Sequence, residues 1–207
     1  MEETKLFLIT YFAALIGVIP PGLVNMTVAK TCVERGKRSG MFVVLGASFV
    51  VMLQALVAVL LAKYIFRHPF VQSILLKAAL VIFVLLGIYF LMMARKKGKI
   101  KAPPKKAKTR SFFTGMLVAV LNIFPIPYFV AIAGAMNVGV GVNYDWPRVI
   151  FFALAASLGT FTTLYFYVLS FIRIESKVET FARYSNYFMA GLMLILIIIA
   201  LIRIYNL

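Results

Sequence analysis

Acidic residues are scarce in this chain, six Asp and Glu against 22 Lys and Arg. They are Glu2, Glu3, Glu34, Asp145, Glu175 and Glu179, and all fall in terminal or loop positions. No carboxylate therefore stands inside an apolar run as a proton carrier or as one of several hard oxygen ligands, which argues against a divalent-metal transporter. Histidine and cysteine occur once each, as His68 and Cys32. One thiol makes neither an intramolecular disulfide nor a metal cluster. No Ser-His-Asp set, metal cluster or paired carboxylates can be assembled within the apolar runs, so an enzyme is not expected and neither cofactor nor metal is implied.

What fills the chain instead is apolar. The hydrophobic share is 63% and the mean hydropathy +1.00, far above a soluble domain. The apolar residues fall in runs of the roughly 20 residues that cross about 30 Å of hydrocarbon. The spans read as 6–29, 40–62, 70–94, 112–136, 148–172 and 181–205. The first is not read as a cleaved secretory signal: Glu2 and Glu3 flank it with only Lys5, and no small-residue cleavage site closes it. The expected fold is an all-α integral membrane domain of six transmembrane helices.

The net charge of +16 is read through its placement. Basic residues concentrate at 30–38, 95–110 and 173–183, whereas the opposite side holds Lys5, Lys63, Arg67, Arg148 and Arg203. Lys and Arg accumulate in short cytoplasmic loops. Both termini are thus expected outside the cytoplasm of a bacterial-type inner membrane. Segment 95–110 carries Pro103 and Pro104 and no aromatic residue. It reads as a cytoplasmic linker against anionic lipid headgroups, not as a nucleic-acid surface.

The linker separates 1–94 from 112–207, each with three expected spans. An odd number per half means that a second similar unit would insert upside down, the inverted-repeat logic of many secondary transporters. Gly46-Ala47-Ser48-Phe49 resembles Ala155-Ala156-Ser157-Leu158. That loose alignment pairs Gln54 with Thr163 and Val51 with Thr160. Proline placement is the stronger sign. Pro20-Pro21-Gly22 interrupts the first span, and Pro125 and Pro127, just after Asn122, interrupt the fourth. Proline lacks the N–H that would bond the carbonyl one turn back. The carbonyls of Ile16, Gly17, Leu121 and Ile123 are expected to be released. In hydrocarbon such groups must be taken over by protein, water or substrate. Beyond the first break, the amides of Gly22, Leu23 and Val24 form the positive end of a half-helix, suited to a carboxylate. Asn25, Gln54, Asn122, Thr160 and Thr163 are the polar residues able to add neutral hydrogen bonds, although such residues also bridge neighbouring helices. With Pro20, Pro21, Pro125 and Pro127 they make up the expected substrate site. A kink without a site is the competing reading.

These residues resemble the lysine-exporter (LysE/RhtB-type) translocator family. Pro21-Gly22 matches the start of that family's Pro-Gly-Pro pattern, with Leu23 in place of its second proline, and Asn25 takes its Asn position. Arg35-Gly36-Lys37-Arg38-Ser39-Gly40 matches its Arg-Gly-Arg-Arg-x-Gly loop, and Gly46 its span-two glycine. Asn122 resembles its Asn-Pro in span four, with Pro125 displaced by two positions. The resemblance implies an exporter of small amino acids or related zwitterions working by alternating access. Many members carry an acid and a histidine where this chain has Val51 and Gln54, which counts against proton coupling here and leaves the substrate open. A non-transporting membrane scaffold or accessory subunit and an ion-permeation pathway are the alternatives. Gly- and Ala-rich faces in spans four and five suit internal packing or a homo-oligomer equally well.

Overall fold

The computed structural model describes residues 2–20, 22–95, 111–136, 138 and 145–175, and at the C-terminal end 184, 187, 190, 191, 193–195, 197, 198, 200–202 and 205. Pro21 and the basic linker 96–110 lie outside the described residues, as does most of the expected sixth span. Every described element is an α-helix: α1 Glu2–Val18, α2 Leu23–Arg35, α3 Lys37–Arg67, α4 Pro69–Arg95, α5 Ser111–Leu121, α6 Pro125–Ala135 and α7 Trp146–Glu175.

Proline and glycine set the boundaries. Pro69 and Pro125 open α4 and α6, at the first helical position where a missing N–H costs nothing. α2 ends on Gly36, whose φ of 83° is the left-handed conformation that favours glycine, and its N–H returns to the Cys32 carbonyl at 2.8 Å. α3 starts at once, and a Cβ on Gly40 would collide with the Cys32 sulfur. The Arg35–Gly40 motif is therefore a tight helical hairpin whose two glycines have separate duties, one to turn the backbone and one to admit the neighbouring helix.

Two helical stretches, Lys37–Ile65 and Trp146–Ser170, are long and apolar enough to cross a membrane, and they correspond to the expected second and fifth spans. The expected first and fourth spans are each a bent pair: α1 with α2 at 70°, and α5 with α6 at 68°. The described helices thus supply two spans, or four if each bent pair is one. The third expected span is helical as α4, and the described positions of the sixth are helical too. Within these, Phe83–Met92 and Met193–Ile202 are shorter apolar helices.

By contacts the chain divides into Met1–Tyr64 with Ala102–Ser176, and Ile65–Lys101 with Lys177–Leu207. Both breaks belong to the first unit. There α1 lies along α7 in parallel. The same separation of 148 residues recurs in the bonds from Thr163 to Leu15 and from Tyr167 to Ile19, and Arg148 and Glu2 meet at the N-terminal ends at 3.9 Å. α1 buries Leu6, Thr10 and Ala14, one residue per turn. Gly159 makes this seam close, since a Cβ there would strike the Tyr11 carbonyl. α3 and α5 form a second parallel seam. Gly46 faces the Phe112 carbonyl, Gly115 faces the Val43 carbonyl, and neither position has room for a Cβ. Ser157 of α7 donates to the Ser48 carbonyl of α3 at 3.0 Å. A cluster including Val24, Val28, Val43, Ala47, Val50, Ala119, Leu164 and Val168 joins α2, α3, α5 and α7.

Candidate functional site: two broken helices

A helix that stops inside an apolar core leaves carbonyls that need new donors. At the first break Thr163, Tyr167 and Asn25 supply them, and Tyr128 reaches a carbonyl one turn inside α1. Tyr128 of α6 donates to the Ala13 carbonyl at 2.7 Å, Thr163 of α7 to Leu15 at 2.9 Å, and Tyr167 of α7 to Ile19 at 2.7 Å. Asn25, 4% exposed, forks its Nδ2 to the Val18 carbonyl at 2.6 Å and the Pro20 carbonyl at 3.1 Å. At the second break one side chain serves. Gln54 of α3 forks its Nε2 to the Ala119 carbonyl at 3.1 Å and the Asn122 carbonyl at 2.9 Å.

Two of the four carbonyls, Ile16 and Ile123, are not released as the proline positions predict. The Ile19 N–H donates to Ile16, and the Ile126 N–H to Ile123, both at 3.2 Å. Each chain tightens into a three-residue turn where its helix ends, so Ile16 and Ile123 keep a partner. The carbonyls handed to side chains include Leu15, Val18 and Asn122, neighbours of those predicted.

The second segments begin differently. α2 has Gly22 as its N-cap, exposed and in extended backbone (φ −114°, ψ −171°), with no side-chain cap. The first helical bond is from the Met26 N–H to the Gly22 carbonyl at 3.0 Å. The amides of Leu23, Val24 and Asn25 precede it and find no backbone acceptor among the described residues. A Cβ on Gly22 would meet nothing within 4 Å. Leu23 is 59% exposed, while Val24 and Asn25 are buried. In α6, by contrast, Pro125 and Pro127 have no N–H. The two amides between and after them are used, Ile126 on Ile123 and Tyr128 on Phe124 at 3.4 Å. α2 presents donors at its start, and α6 presents none over its first turn.

The predicted site residues thus separate into groups. Pro20, Gly22, Leu23, Val24 and Asn25 gather at the first break, while Gln54, Asn122, Pro125 and Pro127 gather at the second. Asn25 and Thr163, expected to donate to a substrate, spend their donors on α1 carbonyls in this structure. Gln54 spends its nitrogen likewise, but its Oε1 is buried without a hydrogen-bond partner. Asn122 contributes its carbonyl to Gln54, and its half-buried side-chain amide bonds none of the described residues. Thr160 is 2% exposed and its hydroxyl also lacks a partner. Tyr128 and Tyr167, absent from the predicted set, hold the end of α1. Their signal is position: tyrosine in membrane helices favours the interfaces, and a tyrosine far inside a span needs a partner for its hydroxyl.

Two helices of membrane-spanning length and two bent pairs that are as apolar define a multi-pass helical membrane protein. The model of the LysE type translocator family matches residues 15–204. The chain belongs to that family and is a membrane translocator. No curated protein and no solved structure matches it.

Proposed function

We propose that this translocator exports small amino acids or related zwitterions, with the substrate carboxylate received by the α2 amides of Leu23 and Val24 behind Gly22. One observation carries this reading. Side chains cover the Leu15, Val18, Ile19 and Pro20 carbonyls at the first break, while the α2 amides next to them have no acceptor among the described residues, behind an N-cap with open space around it. A helix start of this kind favours an anionic oxygen by its N–H groups and its dipole, and transporters use discontinuous helices in this way.

Two further observations support an inverted pair of three-helix units. The bends of 70° and 68° occur in the first helix of each half. Gln54 and Thr163, paired by the sequence alignment, each donate to the broken helix of the opposite half. Alternating access would then rock one unit against the other around the breaks. The charge distribution supports extracytoplasmic termini and a cytoplasmic 95–110 linker against anionic headgroups of the inner membrane. With no carboxylate or histidine inside the spans, a proton gradient should drive little of the flux.

The test is counterflow of labelled amino acids in proteoliposomes of defined orientation. Saturable exchange of one or more amino acids, unchanged by an imposed pH gradient at fixed membrane potential, is expected. No exchange of any amino acid by folded protein would leave the scaffold reading in its place.

A further inference from the structure

The acceptor left open at the second break complements the donors left open at the first. Gln54 is 8% exposed, and its nitrogen is shared between the Ala119 and Asn122 carbonyls. That fork fixes the side-chain amide, because turning it over would set its oxygen against two carbonyl oxygens. Oε1 therefore faces away from the end of α5, and it is buried with nothing bonded to it.

Five backbone positions of the second break have no N–H to give it. The Asn122 N–H is used on the Ala119 carbonyl at 3.1 Å, Ile126 and Tyr128 are used within their own turn, and Pro125 and Pro127 carry no hydrogen. The end of α5 adds the partial negative charge of a helix C-terminus. A buried acceptor in such a setting wants a positively charged donor. A primary ammonium offers three N–H groups and the matching charge. The place is also in the right neighbourhood. Val24 of α2, Val50 one turn before Gln54, and Ala119, whose carbonyl Gln54 holds, belong to one packed cluster.

We propose that Gln54 Oε1 accepts a hydrogen bond from the protonated amine of the substrate, which makes Gln54 the residue that tells an amino acid from the corresponding carboxylate. The proposal rests on the exporter reading for the carboxylate, but the amine contact stands or falls separately. It also gives Gln54 two roles, a nitrogen that closes the α5 break and an oxygen that selects the ligand.

The experiment uses purified full-length protein in detergent and reads ligand-induced thermal stabilisation. The probes are amino acids, their des-amino acids (alanine with propionate, leucine with 4-methylpentanoate), ethylamine and sodium chloride. Wild type should bind an amino acid at least about tenfold better than its des-amino partner, the worth of a charge-assisted hydrogen bond. Gln54→Met keeps the volume and removes the acceptor, and should bring that ratio close to one. Gln54→Met also loses the nitrogen that closes the α5 break, so its response to the des-amino acids, which should stay as in wild type, separates loss of the contact from loss of folding. A folded Gln54→Met with its amine preference intact would overturn the proposal. Stabilisation by sodium that vanishes in Gln54→Met would overturn it as well, giving the oxygen to an inorganic cation. If only ethylamine stabilises the protein, and through Gln54, the amine contact is upheld and the carboxylate reading at α2 fails.

Discussion

The break between α1 and α2 and the break between α5 and α6 bend by 70° and 68°, yet they are made safe by different means. At the first, Thr163, Tyr167 and Asn25 share the exposed carbonyls and the following amides are left open. At the second, Gln54 reaches two carbonyls, one of which also takes the Asn122 N–H, and Pro125 and Pro127 each remove a donor. Equal geometry with opposite residual chemistry fits the proposed site for a molecule charged at both ends. The first break leaves donors open and the second an acceptor.

If the seams that carry the two breaks are equivalent, damage to them should cost alike. Gly159→Ala on the α1–α7 seam and Gly46→Ala on the α3–α5 seam each drive a methyl into a backbone carbonyl that has no rotamer to escape by. Each should destabilise the protein by about 3 kcal/mol. Gly191→Ala, with nothing within 4 Å of its Cβ position, should be neutral or slightly stabilising, since alanine is the better helix former. Denaturation midpoints in one detergent would check all three, and a large difference between the two seams would break the equivalence.

The caps should not be equivalent. Gln54→Leu strips both side-chain bonds from the second break at once and should cost about 2 to 3 kcal/mol, chiefly because the Asn122 carbonyl loses its donor while Ala119 keeps the Asn122 N–H. Thr163→Val removes one bond among several at the first break and should cost about 1 kcal/mol. Similar losses in the two variants would show that the redundancy at the first break has no energetic weight.

Tyr128 connects the two regions. It sits in the first turn of α6, donates to Ala13 of α1, and lies 3.0 Å from where a Cβ on Gly17 would be. Tyr128→Phe keeps the ring against Gly17 and loses the hydroxyl, which should cost about 1 kcal/mol. Combined with Gly17→Ala, which pushes on the same ring, the loss should depart from additivity by about 0.5 kcal/mol or more. Strict additivity would mean that the ring and the α1 turn do not respond to each other.

Much of this was legible in the residues. Proline pairs placed the breaks, and the Arg35–Gly40 motif placed the loop between the first two spans, while the alignment of Gln54 with Thr163 belongs to the proposed repeat. The destinations of the hydrogen bonds were not legible. Asn25 was as good a ligand for a substrate as for Val18 and Pro20, because sequence states what a side chain can donate and only packing states what stands in front of it. The three-residue turns that rescue Ile16 and Ile123 were missed for a related reason: a helix end has more than one way to close, and local sequence does not choose among them. Tyr128 and Tyr167 were overlooked because an aromatic residue in an apolar run reads first as bulk.

The smallest expected change in stability bears most directly on function. Gly22 is an N-cap without a side chain, its backbone is extended as an N-cap requires, and open space surrounds it. Gly22→Asp would place a carboxylate of the protein's own at the start of α2, where it can accept the amides of Val24 or Asn25. An Asp cap exceeds Gly by only a few tenths of a kcal/mol, with about 0.5 kcal/mol more from the helix dipole. The variant should therefore melt slightly above wild type. If those amides receive the substrate carboxylate, the same substitution fills their place from within and repels the incoming charge. Stabilisation by every carboxylate-bearing probe should then disappear from a protein that is, by itself, more stable. Gly22→Ala adds similar backbone stiffness without an acceptor, and should leave ligand-induced stabilisation close to wild type because its methyl meets nothing. A protein whose structural loss accompanies its functional loss shows the opposite pairing, lower melting with weaker binding. Gly22→Asp that melts higher and still responds fully to amino acids would move the carboxylate away from α2 and leave the first break as a bend held by its side-chain caps.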